Sequence, residues 1–347
     1  MLKRQQRASM IRARLARGHR CGVAFELEGV RGLVREASGA FNVNREWHAE
    51  GYTGGMPNVH PSAVVDSRAQ IAEDAVVGPF CVIEGPVTLG SGVRLIGQNW
   101  VRGPATIGSG SRMYPGAVVG TPAQHTGMDH DAETAGVLIG EGVVLREHST
   151  VHAPIQNDIP TTIGDRCYIM NGGHVGHDCI LEEDVIIAAH AVLGGHVEVG
   201  AKAFVSGAVQ IHQRGRIGRL AMLSGGASCS LDAPPFAMII DRNGMCGLNL
   251  VGMRRAGIPS PLITGVRDAY RTLMAKGLPP AELIAGLDEL GRENELCAEI
   301  AEFYRHTTRG VAPGDGRPLA HTLRWLRRWI REGDERSSEL EAVEDRA

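Results

Sequence analysis

Read every sixth residue from Val59 and the chain returns only aliphatics: Val59, Val65, Ile71, Val77, Ile83, Leu89, Leu95, Val101, Ile107, Met113 and Val119. The register slips across residues 120–138 and resumes at Ile139, Leu145 and Val151. It skips Asn157, then runs again through Ile163, Ile169, Val175, Leu181, Ile187, Leu193, Val199, Val205, Ile211, Ile217 and Leu223. Apolar residues make up 43% of the chain, so runs of this length do not arise by chance. A period of six fits neither an amphipathic helix nor an alternating strand. It is the hexapeptide repeat of a parallel β-helix, in which three hexads close one coil and the sixth-residue aliphatics stack inside. Gly78, Gly90, Gly108, Gly164 and Gly218 follow an aliphatic and are expected where the backbone turns a corner. The aliphatics are core and carry no chemistry. Function belongs where the repeat is broken or decorated.

The remaining bounds are few. The 347 residues suffice for two or three domains. A formal net charge of −3 gives no reason to expect a nucleic-acid partner. No apolar run reaches the about 18 residues of a membrane span. Seven cysteines, odd in number and without CxxC spacing, read as reduced thiols of a cytoplasmic protein.

Residues 1–55 lie outside the repeat. The first twenty carry Lys3, Arg4, Arg7, Arg12, Arg14, Arg17 and Arg20, no acid, and no apolar core of a secretory signal. They read as a basic extension, either disordered or upstream of a native start at Met56. The β-helix is expected over 56–250, with a polar extruded loop at 120–138 and a smaller interruption at Pro154–Pro160. From 251 to 312 the period changes. Ile263, Val266, Tyr270 and Leu273 mark one helix, and two more follow around 283–290 and 296–304. Residues 313–347 read as a linker, an amphipathic helix and an acidic tail. The stripe of Leu319, Leu323, Leu326 and Ile330 is read as a packing face ahead of a membrane-docking one, although Trp325 and Trp329 also suit a membrane surface.

Outward positions turn histidine-rich in one region: His174, His177-Asp178, His190, Gly194-Gly195-His196 and His212-Gln213. Coils of about 18 residues stack residues that far apart. These side chains therefore gather along one edge of the prism. A neutral imidazole there can act as general base for an alcohol attacking a thioester, with Asp178 or a backbone carbonyl fixing its tautomer. The Gly194-Gly195 pair lets a backbone N–H approach a developing oxyanion. No Gly-x-Ser-x-Gly elbow is present, so direct attack fits better than a covalent intermediate. Two other readings stay open at this point: a zinc site built from the histidines, and plain polar surface.

Five segments occur in a fixed order: His174-Val-Gly-His177-Asp178-Cys, Leu-Gly-Gly195-His196-Val, Val-Gln-Ile-His212-Gln213, Asp232-Ala-Pro-Pro-Phe and Gly247-Leu-Asn249-Leu-Val-Gly-Met-Arg-Arg255. Arg267-Asp-Ala-Tyr270 and Thr308-Arg-Gly follow. Over about 56–313 this set resembles the acyl-[acyl-carrier-protein]:UDP-N-acetylglucosamine O-acyltransferases, which begin lipid A synthesis. The resemblance implies a left-handed β-helix, an all-β solenoid with C-terminal helices, assembled as a homotrimer with active sites between subunits and no cofactor or metal. It implies a (3-hydroxy)acyl transfer from acyl-carrier protein to the sugar 3-hydroxyl. His177 would be the base, Asp178 its partner and the Gly195 amide the oxyanion donor. His174, His196, His212 and Gln213 would line the cleft. Asn249 and Arg255 would hold the diphosphate, a task suited to a forked cation. Gly225 would lie at the end of the acyl groove.

Three departures bear on the acceptor. The family's Gln-Asp-Leu-Lys in the extruded loop is Gln124-His125-Thr126-Gly127 here. Val251 stands where an acid is usual, and Ala256 where a second arginine is common. Another nucleotide amino sugar, or an acyl-CoA donor, is therefore the alternative within acyl transfer. A zinc hydro-lyase of the carbonic anhydrase type and a non-catalytic scaffold are the alternatives outside it. Arg214, Arg216, Arg219, Arg254 and Arg267 form a candidate docking face for the acidic carrier protein.

Overall fold

The computed structural model describes residues 58–127, 129, 132–155 and 159–314. The expectations for residues 1–55, for a start at Met56, for Asn157, and for the segment from Asp315 with its Leu319–Ile330 helix lie outside these residues.

Strands of two to five residues form three sheets, of eleven, nine and eight strands, that share the coils in turn. In all three, each coil pairs parallel with the next, giving a left-handed parallel β-helix. Stacking follows the hexad arithmetic. Val59 pairs with Val77, Val77 with Leu95 and Leu95 with Met113 in the first sheet. The step lengthens where the extruded loop intervenes, Met113 pairing with Leu145, and again across the second interruption, Leu145 pairing with Ile169. Both insertions leave from the corner after the second sheet, following Thr121 and His152. From Val77 to Leu223, every repeat aliphatic of the described coils is at most 3% exposed.

The corners follow a rule that differs from the expectation drawn from glycine. The left-handed backbone conformation falls three residues after the aliphatic, and mostly on non-glycine residues: His148, Arg166, Asp178, Asp184, His190, His196, Lys202 and Arg214 have φ between 56° and 61°. The glycines one residue after the aliphatic serve close stacking instead. Along the third sheet Gly90, Gly108, Gly140, Gly164, Gly200 and Gly218 hold this position, with Ala72 and Glu182 as the exceptions. A Cβ at Gly164 would approach the Glu182 backbone to 2.7 Å, and one at Gly200 would reach Arg219 N at 2.6 Å. At these glycines the next coil passes where a side chain would sit.

Most left-handed corner residues also use their amide in one way, donating to the carbonyl of the preceding position one coil below. His190 N donates to Asn171 O at 3.0 Å and Ala208 N to Ala189 O at 2.9 Å on the first corner. Arg166 N donates to Glu141 O at 2.8 Å and Lys202 N to Glu183 O at 3.0 Å on the third.

Past the last coil the chain makes an antiparallel hairpin, Ala237–Ile240 against Gly244–Leu248. Four helices follow: α1 (Leu250–Arg255), α2 (Ser260–Thr272), α3 (Pro280–Gly291) and α4 (Glu295–Arg305). The hairpin and α1 were not legible as elements in the sequence, and α1 spans the border expected at 250/251. The helices lie against the final coils and share one core with them. Arg219 makes a two-bond pair with Glu299 of α4 at 3.0 and 2.6 Å. The Arg216 guanidinium lies 4.4 Å over the Phe303 ring. Asp232, 1% exposed, accepts from Thr307 Oγ1 at 2.8 Å and from Arg216 N at 3.0 Å. Its backbone pairs with the returning chain at Gly310 and Ala312.

Asp232→Ala would leave these donors without an acceptor. Such a loss costs about 1–3 kcal/mol per buried group, so the melting temperature should fall by several degrees. Asp232→Asn, which keeps an acceptor oxygen, should melt much closer to wild type. Calorimetry of the two variants checks this.

Candidate active site

The second corner is the decorated one. Successive coils present His152, then Gly176-His177-Asp178, then Gly194-Gly195-His196, then His212-Gln213-Arg214. His177 Nδ1 lies 2.6 Å from Asp178 Oδ2. A carboxylate can only accept, so Nδ1 carries the proton and Nε2 keeps its lone pair. The same Oδ2 accepts the Ile155 N–H at 3.0 Å. The His177 ring rests on Gly195 of the coil above, where a Cβ would overlap Cε1 and Nε2. Glycine at 195 is therefore a condition for this ring position, and it brings Nε2 beside the Gly195 backbone. Among the described residues nothing accepts from the Gly195 amide.

His196 crosses His177 edge to face, with centroids 5.1 Å apart and an angle of 88°. Its Nε2 stands 3.8 Å from Asp178 Oδ2. Burial lowers its pKa; Asp178 opposes this, while Arg214 and His177 add to it. His174, on the strand before the corner, has Nδ1 2.8 Å from Thr150 Oγ1. Burial, and then the neighbouring His152 and His177, push its pKa down to about 4.

His152 was missed by the sequence reading. Its ring is 5.1 Å from that of His174, and its Nδ1–H donates to Pro122 O at 2.7 Å. It directly follows Val151, as Gly176 follows Val175. The coil between them is lengthened by the second insertion, so a count of about 18 residues passes over it. Conversely, His190 belongs to the first corner, beside Asn171, and not to this cluster.

The other expected residues are more scattered. His212 and Gln213 are exposed one coil above His196, and Arg309 Nη2 donates to His212 Nδ1 at 3.1 Å. Gln124 and His125 are exposed at the start of the extruded loop, two and three residues past the Pro122 carbonyl that His152 holds. The Asn249 side chain caps α1: its Oδ1 accepts from Gly252 N at 2.9 Å and its Nδ2 donates to Leu220 O at 2.9 Å. It thus anchors the helix on whose last turn Arg255 is exposed. Gly225 sits on the first corner with only Gly207 O, at 3.6 Å, near an added Cβ. Within one chain it is on a different edge from the histidines. Of the expected docking arginines, Arg216 and Arg219 bind the C-terminal helices instead, whereas Arg214 and Arg254 are exposed.

His177, Asp178 and His196 place ligand atoms within 4.8 Å of one another and form the candidate metal cluster among the described residues. Two ligands of one tetrahedral zinc lie about 3.3 Å apart, from bond lengths near 2.0–2.1 Å. The 2.6 Å between Nδ1 and Oδ2 is a hydrogen-bond distance and fits a shared proton. Cys179 adjoins this pair in sequence but points inward, its thiol pushed up to about 12 by burial, so it is no nucleophile.

His174 also predicts a stability trend. Its folded pKa of about 4 lies below the ordinary 6.5. The unfolded chain therefore binds the proton first, and stability falls as pH drops from 6.5 toward 4, with no contribution above that window. In melts across this range, His174→Gln should show a shallower pH dependence than wild type.

Residues 232–312 match the family described as UDP-N-acetylglucosamine O-acyltransferase, domain 2, and residues 160–195 match the bacterial transferase hexapeptide repeats. An acyl-[acyl-carrier-protein]–UDP-N-acetylglucosamine O-acyltransferase of Campylobacter concisus is 35% identical, over 76% of this chain and 100% of its own. One from Syntrophobacter fumaroxidans is 35% identical, over 73% of this chain and 98% of its own. The solved UDP-N-acetylglucosamine acyltransferases of Francisella novicida and Campylobacter jejuni superpose with TM-scores of 0.70 and 0.68, at 29% and 30% identity. They cover 73% and 74% of this chain, and 93% and 99% of theirs is covered. With relatives this similar spanned almost end to end, the chain belongs to the acyl-[acyl-carrier-protein]–UDP-N-acetylglucosamine O-acyltransferases, a family of hexapeptide-repeat acyltransferases.

Proposed function

We propose that this protein transfers a fatty acyl group from an acyl-carrier-protein thioester to the 3-hydroxyl of UDP-N-acetylglucosamine, the opening step of lipid A synthesis, with His177 as general base. One observation carries this reading: Nδ1 of His177 is tied to Asp178, which leaves Nε2 as the basic nitrogen beside an unused backbone amide. Nε2 takes the hydroxyl proton as the sugar oxygen attacks the thioester carbonyl. The Gly195 N–H donates to the oxyanion of the tetrahedral intermediate. On collapse the C–S bond breaks, and the leaving sulfur of the carrier receives the proton from the imidazolium. Asp178 stabilises that imidazolium between the two steps.

The binding roles follow the same pattern. His174, neutral over the physiological range, His196, His212 and Gln213 line the sugar and acyl cleft, with Gln124 and His125 at its loop side. Arg255 takes the diphosphate, and Asn249 acts mainly by anchoring α1. Gly225 leaves room at the end of the acyl groove. Because Gly225 and the histidines occupy different corners of one chain, a complete cleft is built between subunits, in keeping with a homotrimer whose β-helix spans 56–250 and whose helices follow to 312. Exposed Arg214 and Arg254 remain for the acidic carrier protein. No helix among the described residues is long and apolar enough to cross a membrane; the protein acts in the cytoplasm.

The acceptor contacts are altered by His125, Gly127, Val251 and Ala256. A lost charged hydrogen bond is worth about 1.5–3 kcal/mol. The specificity is therefore read as shifted within UDP-amino sugars, with UDP-N-acetylglucosamine still the first candidate. A mass-spectrometric acylation assay over a panel of UDP-sugars and acyl donors tests the reaction. His177→Ala should lose about 10²–10⁴-fold in turnover while keeping fold and assembly; near wild-type turnover of that variant would remove the base assignment.

A further inference from the structure

On the second corner the left-handed series departs from the carbonyl rule at Asp178, whose amide goes to a hydroxyl, as the Phe80 amide goes to Ser62 Oγ at 3.0 Å at the start of the first corner. On the second corner His196 N donates to His177 O and Arg214 N to Gly195 O, both at 2.8 Å, as the rule requires. In the four coils directly beneath, the equivalent position is proline: Pro86, Pro104, Pro122 and Pro154. Proline has no amide to place. Asp178, with φ 58°, is thus the first member of the left-handed series that ends at Arg214, and it stands over the coil that leaves the prism at Pro154. Its amide donates to the side chain of Thr161 instead, with N to Oγ1 at 2.9 Å.

Thr161 is itself out of pattern. It occupies an interior column of the third sheet whose other members are Ala69, Val87, Ala105, Val137, Cys179, Val197 and Gly215. Thr161 is 0% exposed. A hydroxyl in such a column is unfavourable unless it is hydrogen-bonded. The same insertion that removes the ladder carbonyl also supplies the Ile155 N–H that binds Asp178 Oδ2 at 3.0 Å. One end of the insertion therefore fixes the Asp178 carboxylate, and the strand at its other end fixes the Asp178 backbone.

We propose that Thr161 is a positioning residue for the His177–Asp178 pair: its hydroxyl replaces the missing corner carbonyl and, with the Ile155 amide, clamps Asp178 so that its carboxylate meets His177 Nδ1. This rests on the reading of His177 as the base. The clamp acts through Asp178 and does not touch substrate. The other titratable groups that face His177 are His152, His174 and His196, and none of them contacts Thr161 among the described hydrogen bonds.

The test compares Thr161→Val, Thr161→Ser and Ile155→Pro with wild type in the acyl-transfer assay, across pH. Valine matches both the shape of threonine and the residues of the column, so packing is kept and only the hydroxyl is lost. Thr161→Val should lower kcat about 10–100-fold, the scale of a misplaced catalytic group, with KM for the sugar nucleotide unchanged. The acidic limb of its kcat/KM profile should move to lower pH, because the imidazolium loses a fixed carboxylate. Thr161→Ser should restore both. Ile155→Pro, which deletes the other donor, should shift kcat and the limb in the same direction and stands in if Thr161→Val does not fold. Wild-type kcat with an unshifted limb in Thr161→Val, or in Ile155→Pro where it stands in, overturns the proposal, as does a serine variant that rescues neither. His177→Ala in the same assay separates the two levels. If it remains active, the base reading fails. If it is inactive while Thr161→Val is normal, only the clamp fails.

Discussion

The parallel stacking of coils at fixed register is the constraint on which everything else in this protein depends. Each coil must place an aliphatic over an aliphatic, and each corner amide must find an acceptor, mostly a carbonyl of the coil below. Backbone groups near a packed interior must find partners, so a solenoid of short strands tolerates few irregular corners. The rule accounts for the six glycines of the third sheet, at which the next coil leaves no space for a Cβ. It also accounts for the polar residues that adopt left-handed φ at the corners: their side chains project outward, while their amides join the ladder.

The same constraint makes the scaffold suitable for chemistry. A side chain on a rigid corner is held by the coil above and the coil below. His177 is pressed against Gly195 from one neighbour, and Asp178 is tethered to Ile155 and Thr161 from the other. The imidazole is thus placed and its tautomer set before any substrate arrives, which is what a general base requires. Both insertions leave from this corner and no other. The irregular backbone is concentrated where it can contribute donors to the site, and the rest of the prism stays regular.

At the far end, the solenoid must close an open stack. The hairpin pairs with the last coil, Phe236 is fully buried, and Asp232 ties the returning chain to the prism. Arg216 and Arg219 look like surface charge in the sequence, but they staple α4 to the final coils. A charge run read from sequence says how many cations there are; whether each finds an internal acid or ring depends on which helix folds back over it.

Much of this was legible in the residues alone. A six-residue period has only one structural meaning, so the fold class, the core and the two breaks in register could be read directly. The His177-Asp178 and Gly194-Gly195-His196 segments could be placed on a common edge because coil length converts sequence separation into height. What sequence could not supply was anything that depends on a changed coil length or on the far side of a coil. His152 escaped because the insertion makes its coil longer than the count assumes. His190 was drawn in by proximity in sequence, although it turns a different corner. Thr161 carries no sequence signal beyond its place two residues before Ile163. The physical reason is common to all three: the hexad rule gives height along the prism, whereas the partner of a given polar atom is set by where the neighbouring coil's backbone runs, and only the folded chain decides that.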